Sequence, residues 1–239
     1  MNILFFLAAF ASEIIGTMAG FGSSTIFLPL ALLFVDFQTA LVLVAFLHIF
    51  GNIGRISFFK KGLDKGLIIK FGIPSVILTV VGALLVSHIS QDVLKGLLGI
   101  FLIIYSSYSL LKENFSVSAT TASEVIGGGL SGFLAGLIGT GGALRGAFLT
   151  GFKLPKEKYI ATAAAIALAV DVTRIPLYIS EGFLKSEYYL YIPILFVIAL
   201  GGSFTGKGIV SKIPQKQFRK LVLVAILLIG IKFIYNWII

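Results

Sequence analysis

Gly136-Leu-Ile-Gly139-Thr-Gly141-Gly142-Ala-Leu-Arg145 is a glycine cluster, with an arginine just past it, inside an apolar run from Val125 to Phe152. An earlier stretch, Gly20-Phe-Gly22-Ser-Ser-Thr-Ile-Phe-Leu-Pro29, echoes it inside the run from Ile3 to Val35. Surroundings this apolar cannot solvate open backbone, so irregular chain is tolerated only where protein or a cavity satisfies it. Glycine permits positive φ and a close approach to backbone N–H groups. The two clusters therefore point to the walls of a binding site within a membrane.

Composition agrees. Of 239 residues, 58% are hydrophobic and only 12% charged, and mean hydropathy is +1.05. A soluble domain carries roughly twice that charged fraction. The net charge of +9 would suggest nucleic acid in a soluble protein, but the basic residues sit in short loops between apolar segments. Topology explains them, and no nucleic-acid partner is expected. The absence of cysteine excludes disulfides, thiolate metal sites and cysteine catalysis. The Met1-Asn-Ile-Leu-Phe-Phe start has no basic region or cleavage pattern and is expected to be a first membrane segment.

Between the two glycine-bearing runs and after them lie Thr39 to Phe59, Leu67 to Val86, Val93 to Leu111, Tyr159 to Ile179, Tyr188 to Gly206 and Leu221 to Ile239. These six approach the ~20 residues of a spanning helix. The glycine-bearing runs are too long for one span and too short for two. An internal repeat accounts for them. Gly20 and Gly139, Gly22 and Gly141, Asn52 and Asp171, Arg55 and Arg174, Pro74 and Pro193, and Gly82 and Gly201 are each 119 residues apart. The expected domains are a first repeat over 1–111, a linker over 112–123 and a second repeat over 124–239.

Loop charge sets the orientation. Lys60 to Lys70 nets +3, Lys153 to Lys158 nets +2 and Lys207 to Lys220 nets +5, whereas Val35 to Gln38, His88 to Lys95 and Glu181 to Glu187 are neutral or acidic. If both glycine-bearing runs are re-entrant hairpins, all three basic loops fall inside, as the positive-inside rule requires. Single spans would put two of them outside. The expected fold is all-α and polytopic: two inverted repeats, each a re-entrant helical hairpin plus three transmembrane helices. It lies in the cell membrane with both termini outside. Inverted repeats with interrupted helices meeting at the midplane are a transporter architecture.

Each returning arm is expected to start just past its cluster, near Ser24 and Ala143. There the unpaired N–H groups and positive dipole end of a helix would favour an anion. The substrate-binding candidates are Gly20, Gly22, Ser23, Ser24, Thr25, Gly139, Thr140, Gly141, Gly142 and Arg145. Gly128, Gly132 and Gly136, spaced by four, read instead as helix packing. Arg145 has Ile26 as its repeat equivalent, so the fold does not demand its charge. It is either a ligand for the anion or the partner of Glu13. Asp171 and Arg174 lie on one helix face and can pair, and Asn52 and Arg55 are their counterparts. Both arginines lie near segment ends, which leaves gating and snorkelling to the interface as equal readings. Glu13 and Asp171 are the candidate intramembrane proton carriers. His48 reads as hydrogen-bonded core.

Gly201 to Lys207 resembles a phosphate loop, but Gly208 stands where Ser or Thr must hold magnesium. Gly127 to Gly132 fits G-x-G-x-x-G without the strand context that gives it meaning. No cofactor, metal cluster or nucleophile–base pair is expected, which argues against an embedded enzyme. An anion channel built on the same glycine filter is the other alternative.

With these residues in view, the chain resembles the TauE/SafE family of sulfite exporters, also described as sulfonate permeases. Members carry two repeats, each with an early G-x-G-G-G-x-x-x-x-P-like motif. The first copy here is Gly20-Phe21-Gly22-Ser23-Ser24 through Pro29, and the second is Gly139-Thr140-Gly141-Gly142-Ala143 through Phe148. Serines replace two glycines in the first copy; Ala143, Arg145 and Phe148 depart in the second. The resemblance implies transport of sulfite, a sulfonate or a related small anion, and with the inverted-repeat architecture the expected function is a secondary transporter that exports it. Its partners would be that anion, the lipid bilayer and a coupling proton or cation.

Overall fold

The computed structural model describes residues 2–19, 22–59, 62–111, 117–209 and 215–238. Within them the chain is helical throughout: α1 (Ile3–Ala19), α2 (Ser24–Ala31), α3 (Phe37–Phe59), α4 (Lys65–Leu85), α5 (Gln91–Leu111), α6 (Thr121–Ile138), α7 (Gly142–Gly151), α8 (Lys156–Ser180), α9 (Tyr191–Ile209) and α10 (Gln215–Ile238). A helix satisfies its own backbone hydrogen bonds, which a lipid environment requires. Seven described helices are long and apolar enough to cross a membrane. Six are the expected spans. The seventh is α6, the first arm of the second hairpin, whose 18 residues reach roughly 27 Å at 1.5 Å per residue.

The hairpins have arms of unequal length. Long arms α1 and α6 are followed by short arms α2 and α7 of 8 and 10 residues. Each hairpin nonetheless leaves by the end at which it entered. In the first, the Phe5 ring packs on Phe27 and Phe34, which joins the start of α1 to the end of α2. In the second, the Val117 N–H donates to the Gly151 carbonyl, joining the approach to α6 with the end of α7.

The loops gather into two groups at opposite ends. At one end Lys158 pairs with Asp64 (3.1 Å), Lys70 with Glu124 (3.6 Å), and the Lys207 ammonium lies over the Phe58 ring. At the other, Asp36 pairs with Lys185 (3.1 Å), the Phe37 N–H donates to Gln91 Oε1, and the Thr39 hydroxyl donates to the Phe183 carbonyl. The basic loops thus share one end and the poor loops the other. Asp64 also caps α4, accepting the Leu67 N–H at 3.0 Å. That bond, with Lys158, holds its carboxyl below the usual aspartate range against the opposing effect of partial burial.

Helix α3 lies at the centre, with Phe37 and Ala40 to Ala45 completely buried. Exposed Ile69, Ile73 and Ile77 on α4 and Leu221, Leu228 and Tyr235 on α10 form the apolar exterior that lipid covers. Under a 119-residue shift, the α1–α9 packing maps onto α6–α4, α3–α9 onto α8–α4, and α1–α10 onto α6–α5, while α3–α8, α5–α10 and α2–α7 map onto themselves.

The α4–α6 crossing is the most intimate. A Cβ at Gly128, Gly132 or Gly136 would collide with the carbonyls of Phe71, Ser75 or Thr79 on α4. With the backbones this close, Ser75 and Thr79 donate across the crossing to the Gly128 and Gly132 carbonyls at 2.8 and 3.0 Å. These glycines serve packing, as their spacing by four indicates.

A candidate anion site between the hairpins

The broken helices leave backbone groups open in the protein interior, and side chains on α8 close part of them. Helix α6 ends at Gly139, which adopts φ +72°. Its last carbonyls have no helical donors. Arg174 Nη1 donates to the Ala135 carbonyl at 2.7 Å, and the Tyr178 hydroxyl donates to the Gly136 carbonyl. Arg174 also pairs with Asp171 through Nε (2.9 Å) and Nη2 (2.7 Å). Both residues are 1% exposed. Arg174 therefore does not snorkel; it closes a helix end.

Arg55, the counterpart of Arg174 in the first half, binds side chains rather than carbonyls. It pairs with Glu13 on α1 and donates to Thr17 Oγ1 (3.0 Å) and Asn52 Oδ1 (2.8 Å). Ser203 adds a bond to Glu13 Oε1 at 2.8 Å. The Glu13 carboxylate lies where a Cβ on Gly51 would be, so that glycine admits it against α3. Glu13 is thus the partner of Arg55, not of Arg145, which corrects the pairing with Arg145 considered from the sequence. Removing one member of a buried pair costs about 3–5 kcal/mol, so these pairs hold the arms in place.

Arg145 is different. It lies in the first turns of α7, 5% exposed, and among the described residues its guanidinium has neither ion pair nor hydrogen-bond partner. It lines a cavity of about 40 Å³ together with Gly16, Thr17, Gly22, His48, Asn52, Arg55, Gly142 and Tyr159. A water requires roughly 10–15 Å³ on this measure, so the space fits a few waters or one small oxyanion. Asn52 turns its Oδ1 to Arg55, which leaves its buried Nδ2 without a partner among the described residues. Two unanswered donors, one cationic, therefore meet at one small space.

His48 completes the wall. Its Nδ1 lies 2.8 Å from Asp171 Oδ2, and its side chain is 4% exposed. Opposite stands Gly22 at φ +86°, where a Cβ would lie 2.8 Å from His48 Nε2. Glycine is required there twice, for its backbone conformation and for the imidazole.

The remaining candidates take several places. Ser23, Ser24 and Thr25 are buried in or just before the first turn of α2. The Thr25 and Thr140 hydroxyls are hydrogen-bonded at 2.8 Å, joining the hairpins to each other. A Cβ at Gly141 would meet the Ser131 carbonyl of α6, and one at Gly139 would meet Leu41, so these two glycines pack the tip and do not line the cavity. Glu13, Asp171 and Arg174 stand behind the wall as partners of residues that line it or hold it. Gly20 lies outside the described residues.

His48, Thr17 and Tyr159 line the cavity without having been singled out from the sequence as its walls. A signal for the first two existed. His48, Asn52 and Arg55 occupy i, i+4 and i+7 of α3, and Glu13 and Thr17 occupy i and i+4 of α1, so each set shares one helix face. Among the described residues no three His, Asp or Glu side chains gather as metal ligands would.

The family model for the sulfite exporter TauE/SafE matches residues 4–233. A curated relative, a probable membrane transporter protein of Methanocaldococcus jannaschii, is 25% identical over 239 aligned positions, covering 90% of this chain and 89% of that protein. No solved structure is a significant match. A match over nearly the whole length places the chain among membrane transporters: it belongs to the TauE/SafE sulfite exporter family.

Proposed function

We propose that the protein is a secondary transporter that exports a small anion, a sulfur oxyanion or sulfonate, bound between the two hairpins. The observation that carries this reading is the buried Arg145, facing the cavity without an ion-pair or hydrogen-bond partner among the described residues, beside the Asn52 amide Nδ2, which has none there either. A cation inside a membrane costs about 2.5–3.5 kcal/mol on insertion scales. With both buried carboxylates already engaged by Arg55 and Arg174, an anionic cargo is the natural counter-charge. Gly142 and the open N–H groups at the start of α7 extend the same surface. The first cluster, from Gly20 through Thr25, contributes Gly22 and the start of α2.

The two halves, 1–111 and 124–239 joined by 112–123, act as inverted repeats around this site. Support comes from the helix pairings that survive the 119-residue shift and from hairpins that enter at opposite ends. The basic end faces the cytoplasm of the cell membrane by the positive-inside rule, which puts both termini outside. Expelling a monoanion from an inside-negative cell is favourable by about 2.3 kcal/mol per 100 mV. Asp171/Arg174 and Asn52/Arg55 flank the site as supports of the two arms.

Purified protein in proteoliposomes tests the reading. Sulfite, sulfate, thiosulfate, taurine and sulfoacetate are screened for a thermal shift, and binders are then assayed for efflux. Stabilisation and efflux of at least one, lost in Arg145→Gln, is the expected result. No response to any of them would remove the anion reading. Single-channel currents would replace the carrier with a channel.

A further inference from the structure

We propose that His48 is the proton-binding site of the cavity, and that a doubly charged anion is accepted only together with one proton on its Nε2. The inference rests on the anion site described above and deepens it.

The first argument is the tautomer. A carboxylate only accepts hydrogen bonds, and Asp171 is already an acceptor from Arg174, so the contact at 2.8 Å with His48 Nδ1 places the hydrogen on Nδ1. In the neutral ring Nε2 is then a bare lone pair. It stands beside Gly22 on the cavity wall, and among the described residues it has no partner. An anion oxygen is repelled by a lone pair and bound by N–H. An anion oxygen turned to Nε2 therefore requires a proton between the two, carried either by the ring or by the anion, whereas a monoanion that turns an apolar group there, as methanesulfonate can its methyl, requires none.

The second argument is charge balance. The titratable and charged groups at this cavity and behind its wall are Arg55 on α3, Arg145 on α7 and Tyr159 on α8, which line it with His48, Asp171 on α8, which holds His48, and their partners Glu13 on α1 and Arg174 on α8. Glu13 closes on Arg55 and Asp171 on Arg174, which among the described residues of the site leaves the charge of Arg145 uncompensated. One negative charge balances it. A second would remain unbalanced inside the membrane, where isolated charge is costly. Imidazole is the side chain that ordinarily gains a proton near neutral pH. The complex is then balanced in both cases: a monoanion with neutral His48, or a dianion with protonated His48. The cargo and its proton together carry a single negative charge.

Isothermal titration in buffers of different ionisation enthalpy tests this, with sulfate as a fixed dianion and methanesulfonate as a fixed monoanion. Sulfate binding takes up close to one proton and weakens about tenfold per pH unit above the imidazole titration, by linkage. Methanesulfonate takes up none and is indifferent to pH. In His48→Gln, which keeps a donor toward Asp171, proton uptake on sulfate binding is lost. The wild-type comparison of the two anions stands even if that variant folds poorly. Sulfate binding without proton uptake, equal uptake for both anions, or uptake that survives in His48→Gln and vanishes in Glu13→Gln overturns the proposal while leaving the anion site intact. Failure of both anions to bind overturns the anion reading itself and this proposal with it.

Discussion

The hydroxyls of Thr25 and Thr140, on hairpins that enter the protein from opposite ends, are hydrogen-bonded to each other at 2.8 Å. This contact ties the start of α2 to the turn before α7, beside the cavity. A transporter whose hairpins move past one another must break it. In the cysteine-free chain, Thr25→Cys with Thr140→Cys places two thiols close enough for a disulfide. Oxidation is expected to stop anion flux, and reduction to restore it. Undiminished flux in the oxidised, crosslinked protein would show that the tips stay together throughout the cycle.

Arg145→Gln is expected to weaken anion binding by about ten- to a hundredfold, because a hydrogen bond to a charged group contributes about 1.5–3 kcal/mol. Arg145→Lys recovers part of it, since an ammonium lacks the planar fork. Glu13 is held by Arg55, so adding Glu13→Gln does not rescue Arg145→Gln and further destabilises the protein. Titration calorimetry and thermal unfolding in detergent check both statements. Rescue by the double variant would make Arg145 structural.

Two glycine variants separate site from scaffold. Gly22→Ala forces a side chain to φ +86° and against the His48 imidazole, and its expected effect is loss of binding with helix content retained. Gly132→Ala drives a methyl into the Ser75 carbonyl. Overpacking of this kind costs typically about 1–3 kcal/mol, read as a lowered unfolding temperature. Gly208, with open space at its Cβ, is the control and should tolerate alanine.

The ends of the molecule give a topology test. Cysteines at Asp92 and Ser186, on the end poor in basic residues, are expected to react with an impermeant thiol reagent added to intact cells. Cysteines at Leu63 and Glu157, on the basic end, are not. Labelling of the second pair from outside would invert the assignment.

Much of this architecture was legible because its causes are local in sequence. The glycine clusters mark the breaks: α2 starts at Ser24 and α7 at Gly142, next to the expected Ser24 and Ala143. Spacing by four marked Gly128, Gly132 and Gly136 as a packing stripe, and the stripe packs α6 on α4. What stayed hidden depends on contacts between distant segments. That Glu13 meets Arg55 rather than Arg145 is set by the small Gly51 on α3, which has no signature of its own. The role of Gly141 against Ser131 was equally invisible, since a G-x-G pair looks the same whether it faces a ligand or a neighbouring helix. His48 looked like core, and its place on the wall follows from Gly22 approaching it from another hairpin.

The glycine-lined crossing of α4 with α6, and the matching one of α1 with α9, joins helices from different halves of the sequence. Swinging one half rigidly against the other would tear open these close contacts, including the Ser75 and Thr79 bonds to α6. The bodies that can move as units are therefore interlaced along the chain: α6 travels with α4, and α1 with α9. Relative motion falls to the pairings that map onto themselves, α5–α10, α2–α7 and the α3–α8 crossing where His48 meets Asp171. The moving seam of such a cycle would then run through its proton site.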